Sequence, residues 1–372
     1  MDIRNEKLAY NLINNSISLK EGENLLVECI GEDGLELANT IIKQAKKINA
    51  KTTLNIIKYD ELKEFLLNAT TEEIMEYGKK DYERMKKMQA YIGISAPTSD
   101  KSLEGVSQEK LEIYNRYYTA LVHLEQRVKH TKWCVLRYPN EYYANKNNMK
   151  LDEFKDFYYN VCTIDYNKMK IAMEPLKELM NKTDKVHIIA PETDIVFSIK
   201  GIPTEKYYGT FNIPDGEVAT CPVKNSVNGY ITYNTKTKYN DIIFENIRFD
   251  FIDGKIVQAT AKEHSKELNE ILDTDEGARY IGEFAFGLNP YINNTMCDTL
   301  FDEKINGSFH LTPGMALEES DNGNKSAIHW DIVKILRKEF GGGEIYFDDV
   351  LIIKDGIFVL DSLKALNPEN LK

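Results

Sequence analysis

The chain has 372 residues, 42% of them apolar and 28% charged. At ~150 residues per domain that is about two domains, with a core large enough to need no disulfide or metal staple. The 47 Lys and Arg against 59 Asp and Glu leave a net charge of −12. That balance disfavours a nucleic-acid binder, and no run of ~18 apolar residues is present to span a membrane.

The N-terminal MDIRNEKLAYNLINN is charged and helical in pattern, without the apolar centre of a secretion signal. The first half then alternates. KLAYNLINNS reads as helix, ENLLVECI as strand, GLELANTIIKQAKKINA as amphipathic helix and KTTLNIIKY as strand. ELKEFLLN and TTEEIMEYGKKDYERMKKMQ are helical, AYIGISA is a strand, and the long helix QEKLEIYNRYYTALVHLEQRVKH leads into the strand KWCVLRYP. This rhythm predicts crossover units on a largely parallel sheet. Residues 151–183 are helical again, and from KVHIIAP onward short strands and turns dominate. Asp253-Gly254, Asn228-Gly229 and Asp355-Gly356 are hairpin signals. The fold class expected is therefore α/β over residues 1–185, followed over residues 186–372 by an α+β domain rich in antiparallel strands.

Several chemistries are absent. The sequence has no phosphate-binding G-x-x-x-x-G-K-[ST], no G-x-S-x-G, no H-E-x-x-H and no G-x-G-x-x-G. Gly341–Glu344 is glycine-rich but precedes a strand, so it reads as a turn. The five cysteines, Cys29, Cys134, Cys162, Cys221 and Cys297, form no C-x-x-C and read as unpaired thiols of a cytoplasmic protein.

Four stretches in the second half carry an ionisable residue inside an apolar or turn-rich segment. They are Glu217 in NIPDGEVATCP, Glu283 in GARYIGEFAFGLNP, His310 in INGSFHLTPG, and His329 with Asp331 in SAIHWDIV. A buried carboxylate must be paired, hydrogen-bonded or bound to a metal. On a strand His329 and Asp331 project from one face, with Trp330 and Ile332 behind. Three carboxylates and two imidazoles suit zinc, cobalt or manganese. Two divalent cations with a bridging hydroxide balance three carboxylates to neutrality, which a single ion does not. Structural roles stand beside this reading: Asp331 as the N-cap of a helix over IVKILRKEF, Glu217 as the polar end of a turn, and Glu283 paired with Arg279. His123, His130, His187 and His264 show no comparable clustering.

The motifs NIPDGEVAT, GARYIGEFAFGLNP, the Glu303–Gly314 stretch and NKSAIHWDIV, in that order, resemble the aminopeptidase T and aminopeptidase S family of two-metal exopeptidases. The opening KLAYNLINNSISLKEGENLLVE and the middle segments KHTKWCVLRYP, LDEFKDFYYNVC and TDIVFSIKG are similar too. The resemblance implies a cytoplasmic homodimer that removes the N-terminal residue of peptides with a metal-bound hydroxide at a two-metal site. Its ligands would be Glu217, Glu283, His310, His329 and Asp331, with Glu283 or Asp331 bridging and no general base assigned. Two departures are visible: Leu317 stands where the family has a tyrosine, and Ala219 where it has a phenylalanine. Another tyrosine, such as Tyr291, is an expected substitute. The departures motivate one alternative, a non-catalytic dimer that keeps the fold and metal site; a two-metal hydrolase of non-peptide amides is a third reading.

Overall fold

The computed structural model describes residues 2–99 and 103–372. The chain divides into two compact units, one formed by Met1–Thr163 with Gly209–Ile213 and the other by Ile164–Tyr208 with Pro214–Lys372.

The first unit is a parallel sheet of five strands in the order Lys51–Ile57, Asn24–Ile30, Ala90–Ser95, Lys132–Arg137 and Asn212–Ile213. Helices Leu35–Lys47, Tyr59–Asn68, Thr71–Met85 and 108–130 supply the crossovers that parallel pairing demands. The strand Asn24–Ile30 has a neighbour on each side, and Leu25, Leu26, Val27 and Cys29 are wholly buried. Its one charge, Glu28, accepts from the Tyr91 hydroxyl and from Asn55 Nδ2, both at 2.8 Å, which is how a core tolerates a carboxylate. Helix Leu35–Lys47 buries Leu37, Ala38, Ile41 and Ala45 along one face. Helix Thr71–Met85 opens with a capping box, Thr70 Oγ1 accepting from the Glu73 N–H while the Glu73 carboxylate accepts from the Thr70 N–H.

The second unit contains two antiparallel sheets and a two-stranded ribbon. Eight strands lie in the order Lys255–Thr260, Arg248–Ile252, Asn228–Thr232, Thr193–Ser198, Lys185–Ala190, Glu344–Phe347, Val350–Lys354 and Ile357–Phe358. Asp253-Gly254 and Asp355-Gly356 are the turns of hairpins, as expected. At Gly254, with φ +85°, a Cβ would lie 1.9 Å from the Lys224 carbonyl oxygen. Asn228-Gly229 is different. It opens a strand paired on one side with Arg248–Ile252 and on the other with Thr193–Ser198, and turns nothing. Helix Tyr166–Met180 precedes these strands and belongs to the same unit.

The second sheet has the order Ile332–Ile335, Ser308–Pro313, Ile281–Gly287, Glu217–Thr220 and Glu205–Tyr207. Side chains alternate across it. On one face Phe284 meets Phe197 at 5.0 Å, and Phe286 meets Phe347 at 6.2 Å and Phe358 at 6.0 Å, joining it to the eight-stranded sheet in a sandwich. The opposite face carries Glu283, Ala285 and Gly287. Among the described residues no helix is long and apolar enough to cross a membrane, and all five cysteines are free thiols.

Candidate metal centre

Strand register brings the singled-out residues onto that opposite face. Glu217 pairs with Gly287, and His310 pairs with Ala285 and with Val333. Asp331 lies two residues before Val333 and therefore on the same side of the sheet. His329 forms an isolated bridge with Gly314. Ala285 and Gly287 are the small residues of that face, and at Gly287 the Ile305 backbone packs so closely that a Cβ would stand 2.3 Å from its carbonyl oxygen.

Five side chains converge. His310 Nε2 is 3.4 Å from Glu283 Oε1 and 3.8 Å from Glu217 Oε2. His329 Nε2 is 3.2 Å from Glu283 Oε2 and 3.3 Å from Asp331 Oδ1. Two donor groups result, Glu217–Glu283–His310 and Glu283–His329–Asp331, each with its ligand atoms within 4.8 Å of one another. Glu283 is common to both, one oxygen toward each imidazole. His329 is the exposed member, with 35% of its side chain accessible against 1% for His310, so the centre opens on the His329 side.

The structural alternatives go elsewhere. Residues Ile332–Ile335 are strand, so Asp331 caps no helix. Arg279 pairs with Asp273 at 2.7 Å, leaving Glu283 to the histidines. Glu217 is buried at the start of its strand. Trp330 packs behind against Tyr239 and Phe244 and donates to Thr237 Oγ1 at 3.1 Å. Of the remaining histidines, His187 pairs with Asp194 at 2.8 Å and His264 faces Glu267 at 3.5 Å.

The electrostatics are those of a site that demands positive charge. Burial pushes the Glu217 carboxyl up to about 7, with Lys304 drawing it down only in part. Burial acts the same way on Glu283, but hydrogen bonds from His310 and His329 outweigh it and hold that carboxyl below its ordinary value. Asp331, despite burial, is held far below by the charge and hydrogen bond of His329. Burial opposes a proton on His310, yet Glu283 and Asp331 raise it to about 9. Together with the Lys304 ammonium, protonated imidazole supplies positive charge there. The buried Glu217 Oε2 has no hydrogen-bond partner among the described residues, a lone-pair oxygen turned toward the imidazole of His310. Mixed oxygen and nitrogen donors with an unused buried oxygen fit a divalent cation.

The motifs alone did not reveal several neighbours. Lys304 is wholly buried, its Nζ 3.5 Å from Glu217 Oε1 and ion-paired with Glu303. Lys304 ends the charged run Asp302-Glu303-Lys304, which reads as a solvated turn, so no local pattern marks it as buried. Thr312 Oγ1 donates to Asp331 Oδ1 at 2.7 Å. Tyr207 pairs with Glu217 across the strands, and burial, then Glu283, Glu319 and Glu217, raise its hydroxyl well above the usual phenol value. Tyr291, the expected substitute for the family tyrosine, has its ring 5.5 Å from Lys372 Nζ.

Sequence comparison places the chain in a known class. The family model described as thermophilic metalloprotease (M29) matches residues 1–358, and the chain belongs to that family. It is therefore a metallopeptidase, a hydrolase that works with a divalent metal. Aminopeptidase PepS of Streptococcus thermophilus is 25% identical over 380 residues, covering 88% of this chain and 91% of the relative. Aminopeptidase 2 of Geobacillus stearothermophilus is 23% identical over 406 residues, 94% of each chain. The solved structure of wild-type AmpT from Thermus thermophilus superposes with a TM-score of 0.77 at 19% identity, covering 96% of this chain and 99% of that one, and so shares the fold.

Proposed function

We propose that the protein is an aminopeptidase whose two cation positions are held by Glu217, Glu283 and His310 on one side and by Glu283, His329 and Asp331 on the other. The observation that carries this reading is the pair of donor groups sharing Glu283 in a chain of a metalloprotease family. Glu283 would be shared by both cations, because it alone belongs to both donor groups. Residues 186–372 supply the catalytic domain. Zinc, cobalt or manganese suits the donors. When bound, two such ions provide an activated water and a Lewis acid for the scissile carbonyl. The chain's own part is to fix the donors on rigid strands and to exclude water behind them, while the His329 side admits the peptide. The aminopeptidase relatives support N-terminal residues of peptides as the substrate class. The family resemblance supports a homodimer, and the free thiols are consistent with a cytoplasmic setting.

Hydrolysis of aminoacyl-anilides tests this directly. Turnover that needs added Zn²⁺, Co²⁺ or Mn²⁺ and stops with chelator is the expected outcome. Bound metal with no turnover on any aminoacyl-anilide would favour the non-catalytic alternative raised by Leu317. Leu317 sits beside the centre, its N–H donating to the Gly282 carbonyl at 3.3 Å. Leu317→Tyr is expected to leave the rate unchanged or to raise it, up to about 10²-fold if the phenol acts as an oxyanion donor. A large loss in steady-state assays would mean that the pocket is built around leucine.

A further inference from the structure

The two cation positions are built differently. At the Glu283–His329–Asp331 position every ligand has an outer partner or a shared role. His329 Nδ1 is 2.9 Å from the Met315 carbonyl, which can only accept, so Nδ1 carries the proton and Nε2 offers its lone pair to the site. Asp331 is steadied by the Thr312 hydroxyl at 2.7 Å. At the Glu217–Glu283–His310 position the histidine has no such outer acceptor, and Glu217 is held by an ammonium instead of a hydroxyl. His310 Nδ1 is buried with no hydrogen-bond partner among the described residues, so no outer acceptor holds its proton there and frees Nε2 for a cation. The Lys304 ammonium, wholly buried, lies 3.5 Å from Glu217 Oε1. It ion-pairs with one oxygen of Glu217, leaves Oε2 as that residue's unpartnered oxygen, and places a fixed positive charge beside a ligand that should attract a cation. Glu303 also pairs with the lysine and compensates its charge.

We infer that Lys304 makes the Glu217–Glu283–His310 position the weaker and exchangeable one, while the Glu283–His329–Asp331 position retains its ion. Lys304 is thus a positioning residue acting through Glu217, and the inference rests on the two-metal reading above. Loss of outer partners of this kind typically costs 10–100-fold in metal affinity, so the two sites should differ by at least about 10-fold.

The test is stepwise titration of the metal-stripped full-length protein with Zn²⁺ or Mn²⁺ by calorimetry, with metal content measured after dialysis. The expected result is one ion retained on dialysis and a second binding at least about 10-fold more weakly. Glu217→Gln should remove only the weak step, and His329→Ala the tight one. Lys304→Met should tighten the weak step about 10-fold or more without changing the tight one. If that variant does not fold, Lys304→Met with Glu303→Gln removes the ion pair as a unit and should tighten it likewise. Two ions of equal affinity, loss of the tight step in Glu217→Gln, or a weaker second step without Lys304 would overturn this inference and leave the two-metal reading intact. Binding of no more than one ion at saturation would overturn both.

Discussion

Glu283→Gln is expected to release both cations and to lower kcat/KM by at least about 10³-fold, with the protein still folded. The shape of the side chain is kept, so the packing of the strand Ile281–Gly287 should survive. What changes is charge: the one carboxylate that meets both imidazoles, at 3.4 Å from His310 and 3.2 Å from His329, becomes a neutral amide. Each position loses a charged ligand at once. Stabilisation of transition-state charge by a bound cation is worth several kcal/mol, and about 4 kcal/mol is the stated factor of 10³. Metal analysis, circular dichroism and anilide hydrolysis on the same preparation separate loss of metal from loss of fold. Retained activity with full metal content would show that the ligand assignment is wrong.

Gly314→Ala is expected to lower activity by about 10²-fold through displacement of His329. Gly314 has a φ of +111°, a conformation that L side chains rarely adopt, and a Cβ there would stand 2.1 Å from the Ile328 carbonyl oxygen. The clash falls on the bridge between Gly314 and His329. Relief requires the 328–331 segment to move away, carrying His329 and Asp331 from Glu283. A misplacement of about 1 Å near the chemistry is enough for 10²-fold. The strained backbone adds about 1–3 kcal/mol of destabilisation. Metal titration should show the loss confined to the ion held by His329 and Asp331. Thermal unfolding should show a lower Tm, and an unchanged Tm with full activity would mean that the bridge does not position His329.

Much of this molecule can be read in its sequence because burial leaves a pattern. The near-continuous apolar run of Asn24–Ile30 announces a strand with neighbours on both sides of a parallel sheet. Phe284 and Phe286 alternating with Glu283, Ala285 and Gly287 announce a sheet with one face in the core and the other at a site. Glu283, His310 and Asp331 stand out because ionisable groups in such runs need partners. Other features are decided by contacts that no local pattern carries. Asn228-Gly229 has turn chemistry, yet strands on both sides capture it into a sheet. Helix Tyr166–Met180 has the rhythm of the first unit but the contacts of the second. Lys304 reaches Glu217 along four flexible carbons, a direction that residue spacing cannot give, and the partner of His329 Nδ1 is a backbone carbonyl invisible to any motif.

The most direct test of the account is anomalous diffraction from crystals grown with Zn²⁺ or Mn²⁺. Two peaks are expected about 3.5–4 Å apart on either side of Glu283, one contacting Glu217 and His310 and the other His329 and Asp331. Peaks that avoid Glu283, or a single fully occupied peak with the remaining ligands turned away, would contradict it.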